Sequence, residues 1–106
     1  MKKFRVIVTR TDEYVIEIDE TQYDEKKMQE FRDQFYGFTD LEEHAKHIAQ
    51  LRARFHSESF FEGYGVIKMN GEFPFHREGA LLEPAINLIP IDEGNVEDIY
   101  CVEVKE

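Results

Sequence analysis

Two histidines three residues apart open the chemical reading of this chain. His44 and His47 lie in "EEHAKHIAQLRARFH", Glu42 to His56. On a helix, positions i and i+3 lie on neighbouring turns and can converge on one ion. A zinc site needs at least a third ligand. His56, His76, Cys101 and the carboxylates are available, but none stands at a diagnostic spacing, and the chain has neither H-E-x-x-H nor paired cysteines. The expectation is therefore no metal and no cofactor, with His44 packed through one hydrogen-bonded ring nitrogen and His47 solvated. Arg52, in the same stretch, is the more telling residue. A guanidinium keeps its charge, so one that falls among apolar residues must be paired. A sheet carboxylate such as Glu62 or Glu17 would serve. The alternative is a pocket for a small anionic, nucleotide-like ligand, built from Arg52 with His44 and either His76 or Arg77.

"FFEGYG" supplies another candidate. Gly63 and Gly65 flank Tyr64, which leaves the backbone accessible and an aromatic ring free to meet a ligand. The stretch is not a phosphate loop, because it lacks both G-x-G-x-x-G and G-K-[ST]. A strand bending over a helix would explain the two glycines equally well. Cys101 has Tyr100 and Val102 beside it and no base, so it reads as a small packed side chain rather than a nucleophile. There is no G-x-S-x-G, and no carboxylate pair stands out from 23 acidic residues. No catalytic residue is assigned, and a non-enzymatic role is expected. A metal-assisted hydrolase ranks last.

The elements that must hold these residues follow from periodicity. Phe4, Val6 and Val8 alternate with polar neighbours, as do Tyr14, Ile16 and Ile18. Two strands with a tight antiparallel turn at Thr11–Glu13 are expected. Met28, Phe31 and Phe35 make one helical stripe, capped by Thr21 or Asp24, with Gly37 as a left-handed C-terminal residue. "TDLE" has the capping-box form and predicts a second helix starting after Thr39. On a wheel of that helix Leu41, Ala45, Ile48, Leu51 and Phe55 form the buried stripe. His44 and Arg52 fall inside it and His47 on its margin. Asn70–Gly71 is a turn signal joining a strand near Gly63–Met69 to a short edge strand near Glu72–Phe75, which contains Pro74. "AINLIPID" and "DIYCVEVK" read as two last strands turning at Glu93, Gly94 and Asn95. The expected architecture is a single α+β domain over 1–106, a mainly antiparallel sheet with a central two-helix hairpin packed on it, in the order β-β-α-α-β-β-β-β.

Composition limits the function classes. At 106 residues and 42% hydrophobic content the chain suits one globular core. No apolar run approaches the ~18 residues of a membrane span, and the N-terminal stretch is broken by Arg5 and Arg10, so neither a membrane segment nor a signal peptide is expected. A single cysteine fits a reducing cytoplasm. Net charge is −10, which argues against direct nucleic-acid binding. Residues 12–43 alone carry twelve acidic and three basic side chains, whereas 1–11 carry four basic and no acidic ones. Nine Phe are more than one small core needs, so a partner surface is expected.

"TRTDEYVIEID", "LEEHAKHIA" and "FFEGYG…NG" resemble segments of small acidic accessory proteins carried by tailed bacteriophages and prophages. That group has no settled activity to carry over to particular residues. The resemblance implies an intracellular, non-virion protein acting during infection on a host factor, in the host cytoplasm. Residues and resemblance together predict a small acidic interaction protein that binds a basic host protein through residues 12–43 and 83–106.

Overall fold

The computed structural model describes residues 1–56 and 59–105; of residues 95–97 it describes the backbone. The elements are β1 (Phe4–Ile18), α1 (Glu25–Gln34), α2 (Leu41–Arg54), β2 (Phe60–Phe61), β3 (Gly65–Met69) and β4 (Leu82–Glu103). They build an α+β fold whose sheet runs β1-β4-β3-β2. β1/β4 and β2/β3 are antiparallel, but β3 and β4 are parallel. The sheet is thus mixed rather than mainly antiparallel, and the chain order is β-α-α-β-β-β.

The two expected hairpins are replaced by one long ladder. β1 does not turn at Thr11–Glu13, and β4 does not turn at Glu93–Asn95; each runs straight through and they pair with one another from Phe4↔Glu103 to Ile18↔Ile86. The polar residues that looked like turns are bulges. Register shifts fall at Thr9/Arg10, Thr11/Glu13 and Glu13/Tyr14, and each leaves one extra residue in β4. Gly94 takes a positive φ of 73° at one of them, and its N–H donates to Asp12 Oδ1 at 2.7 Å. A bulge and a turn draw on the same residue types, because both need a break in the alternation and a backbone free of Cβ.

β1 itself stays regular, so its even-numbered residues share one face along the whole strand. At the body of the molecule that face is the core face. Tyr14, Ile16 and Ile18 pack on a buried cluster of Tyr23, Phe31, Ile48, Phe61, Tyr64, Ile67, Ala85, Ile86 and Leu88. Beyond the end of α2 the two strands continue alone as a ribbon. It lengthens the molecule to 57 Å against 29 and 23 Å in the other directions. Cys101 lies on this ribbon opposite Val6 and is exposed, not packed.

The helices begin where short acidic side chains cap them. Asp24 Oδ1 accepts from Lys27 N at 3.1 Å, and Asp40 Oδ1 accepts from Glu43 N at 2.9 Å. The cap of α2 is therefore Asp40, one residue after Thr39, whose backbone N–H instead donates to Glu43 Oε2 at 2.7 Å. Gly37 is not the left-handed residue ending α1; the helix closes at Phe35, whose N–H donates to the Phe31 carbonyl. The Asn70–Gly71 turn forms as expected, with φ of 52° and 87°, but only an isolated bridge between Met69 and Glu72 follows it, and no strand forms at Glu72–Phe75. Pro74, which lacks a backbone donor, could not extend that pairing far. No helix among the described residues is long and apolar enough to cross a membrane.

Candidate functional site

Five residues were candidates for one pocket: His44, Arg52, Tyr64, His76 and Arg77. The structure joins two of them and separates the rest. His44 Nδ1 and the Tyr64 hydroxyl are 2.8 Å apart, deep in the core, where the histidine is 0% exposed and the tyrosine 2%. This is the packed, singly hydrogen-bonded histidine that the helical wheel implied. Its Nε2 is buried without a hydrogen-bond partner. Tyr23, Phe31, Phe38 and Tyr64 all meet the imidazole edge-to-face. They supply the weak N–H···π acceptors open to the tautomer that carries its proton on Nε2. Burial holds the His44 pKa below its ordinary value, so the ring is neutral. It also pushes the Tyr64 phenol far up. Neither group is exposed to solvent in this arrangement.

The glycines around Tyr64 are structural. Gly63 has φ 90°, and a Cβ there would stand 2.5 Å from Cε2 of Phe31. Gly65 has φ 97°, and a Cβ there would meet the Leu81 carbonyl oxygen at 2.5 Å. The "GYG" signature thus lets β2 and β3 close over α1.

Arg52 is two turns further along α2, at the junction of helix and ribbon. Its Nε and Nη2 donate to Glu93 Oε2 and Oε1, both at 3.0 Å, and Nη1 donates to the His56 carbonyl at 2.7 Å. The partner is a sheet carboxylate, as expected, but on β4 rather than Glu62 or Glu17. The Tyr14 hydroxyl donates to the same carboxylate at 3.1 Å. Arg52 holds the Glu93 pKa down, while burial and Glu93 itself raise the Tyr14 phenol to about 12. On the same junction Arg10 donates to the Ala53 carbonyl at 3.0 Å, stands 2.7 Å from His56 Nε2 and bonds Asp12. A cation on one of the last carbonyls of α2 satisfies an orphan acceptor and suits the helix dipole. All three guanidinium nitrogens of Arg52 are thus bonded within the fold, two helical turns away from His44.

His76 and Arg77 line a separate cleft of about 490 Å³ with Phe75 and Gly79. His76 Nδ1 is 2.9 Å from the Pro74 carbonyl. No anion pocket formed by all five residues results. Among the described residues no group of three or more His, Cys, Asp or Glu side chains is placed to hold a metal ion.

What the geometry does build is an aromatic stack from core to surface. Tyr64 stacks on Phe31 with centroids 4.9 Å apart, Phe31 on Phe38 at 5.5 Å, and Phe38 on Tyr36 at 5.5 Å. Exposure rises along the series, and the outermost ring, Tyr36, is 53% exposed. His47 braces it edge-on at 5.1 Å. That contact leaves His47 half-buried with a lowered pKa, not solvated as the wheel margin implied. Phe35 next to it is also exposed. Glu30, Asp33, Asp40 and Glu42, all exposed, border this α1–α2 connection. Of the three cations of residues 12–43, Lys27 is engaged elsewhere, with Glu83 at 3.0 Å, while Arg32 pairs with Glu25 and donates to the Phe38 carbonyl at 2.9 Å. Helical spacing signalled Phe31 and Phe35, but nothing in the spacing of Tyr36 and Phe38 marked them as one stack. The search of family models, curated proteins and solved structures gave no match to this chain.

Proposed function

We propose that the protein is a small acidic, non-enzymatic interaction module that binds a basic surface of another protein through the α1–α2 end of its body. The observation that carries this reading is Tyr36: an exposed ring, held rigid by Phe38 and His47, within an acidic border. A ring fixed before binding loses little entropy on contact, and aromatic anchors dominate protein interfaces. Its π face can take an arginine or lysine of the partner, while the surrounding carboxylates draw that cation in. The resemblance of three segments to phage and prophage accessory proteins supports a basic host factor as partner.

The test is capture of binders from a bacterial lysate with the wild-type chain, then titration of the captured protein with variants. Tyr36→Ala should weaken binding tenfold or more, about the 1.4 kcal/mol expected of a central aromatic. Glu30→Lys with Asp33→Lys should weaken it further, and raising salt from about 50 to 500 mM should do the same to the wild type. A captured partner indifferent to Tyr36, to the charge reversals and to salt would remove this reading. Native mass spectrometry of the purified chain tests the anionic-ligand alternative, which requires a retained small molecule. Isolated protein should cause no mobility shift of DNA or RNA at moderate salt.

A further inference from the structure

The core face of the sheet does not stop where its helices stop. Phe4, Val6 and Val8 of β1 continue the face that carries Tyr14, Ile16 and Ile18, and their ladder partners on β4 include Ile99 and Cys101. Phe4 is 57% exposed, Val6 53%, Val8 57% and Ile99 64%. A stripe of this size, roughly 400 Å² of apolar surface, matches the largest patch of a typical monomer, which is often a functional one. A two-stranded ribbon alone in water is also marginally stable, so a cover would stabilise it.

We infer that the cover is a second copy of this chain, its ribbon laid face to face and antiparallel on the first. Charge decides the occupant and the direction. Residues 1–11 carry four basic side chains and no acidic one, and 95–106 carry one basic and four acidic, so the ribbon is close to neutral with a basic outer strand. Residues 12–94 carry nineteen acidic and eight basic side chains, so the body holds a net −11. Antiparallel pairing sets each basic tip, with Lys2, Lys3 and Arg5, beside the other copy's acidic body. Parallel pairing would press two acidic bodies together and drive two helix layers into the same space. In the antiparallel pair, each ribbon fills the layer left empty past the end of the other copy's α2, at the ~10 Å spacing of stacked sheets. The pair buries roughly 800 Å² of apolar surface from both copies, which places it among weak, concentration-dependent dimers. This inference is independent of the Tyr36 surface, which lies at the far end of the helices.

Sedimentation velocity over a wide concentration range tests it, with a short bismaleimide as a probe of Cys101. The wild type should pass from monomer to dimer with rising concentration, and Cys101 of the two copies should cross-link. The triple variant Val6→Thr, Val8→Thr, Ile99→Thr keeps β-branched residues in the ladder and should raise the dissociation constant about tenfold or more. Lys2→Glu with Arg5→Glu, which leaves the apolar stripe intact, should also weaken the dimer, and the effect should vanish at high salt. Phe75→Ser, at a 96% exposed ring away from the ribbon, should change nothing. A wild type that stays monomeric at every concentration without cross-linking overturns the inference. So does a dimer that both ribbon variants leave unchanged, or one that Phe75→Ser abolishes.

Discussion

His44 and Arg52 occupy the same helix stripe and do different work. His44 is neutral and sealed among rings, and its lowered pKa means the folded state binds fewer protons than the unfolded one. The sign follows: its contribution is intact above the ordinary value near 6.5 and declines as pH falls below it. Denaturant midpoints should therefore drop as pH falls below about 6.5, and His44→Phe should flatten that drop, leaving the share of His47. An unchanged slope in the variant would place the acid sensitivity elsewhere. Arg52 is charged at every accessible pH, and its side chain is 17% exposed against 23% for Glu93. Arg52→Ala strands a carboxylate that also accepts from Tyr14, and should cost about 1–3 kcal/mol, less than a fully buried pair because solvent screens part of it. The Glu93 pKa is lowered, so the pair's contribution is present above about 4.5 and lost as pH falls through its folded value. Urea titrations of wild type and Arg52→Ala should differ at pH 7, and the difference should shrink as pH falls below about 4.5.

At the level of elements, the caps give the cleanest test. Asp40→Ala removes the side chain that accepts from Glu43 N and should cost about 0.5–2 kcal/mol, while Thr39→Ala, whose backbone alone takes part, should change the denaturation midpoint little. Equal losses would move the helix start back to Thr39. The one-residue difference was not legible, because T-D-x-x-E offers two adjacent acceptors in sequence and only the backbone angles choose. The strands show a larger version of the same limit. Alternation located 4–9, 14–18 and the β4 segments well, but Thr11–Glu13 and Glu93–Asn95 carry the same polar residues whether a chain reverses or bulges. What separates the cases is that each break lies opposite the other, a relation across some eighty residues that local spacing does not contain. Likewise the wheel placed Arg52 and His44 in the core stripe, while Glu93 and Tyr64, their partners, became known only through the fold.

The whole molecule is an acidic helical body with a nearly neutral arm, and its two proposed contacts use opposite ends. Charge and shape therefore predict different responses to salt. Binding at Tyr36 should weaken steadily with ionic strength, whereas the apolar stripe of the ribbon should retain part of its self-association after the tip charges are screened. Sedimentation at low and high salt, on wild type and on Tyr36→Ala, would separate them: the substitution should leave self-association as it was. A loss of dimer in Tyr36→Ala would mean that the two surfaces are one.

The long β1/β4 ladder also sets a schedule. β1 leaves the ribosome first, yet its hydrogen-bonding partner spans Leu82–Glu103. At roughly 5–20 residues per second, the strand waits about 4–17 s for the far end of that partner. For that interval Phe4, Val6, Val8 and the core residues Tyr14, Ile16 and Ile18 form an unpaired, alternating strand, the kind of segment that nascent-chain chaperones bind. The most extensive pairing, β1 with β4, closes last and joins residues far apart in the chain, so folding should be slow, as high contact order dictates. A chain stalled before Leu82 has no partner for its first strand, and should depend on a chaperone to stay in solution.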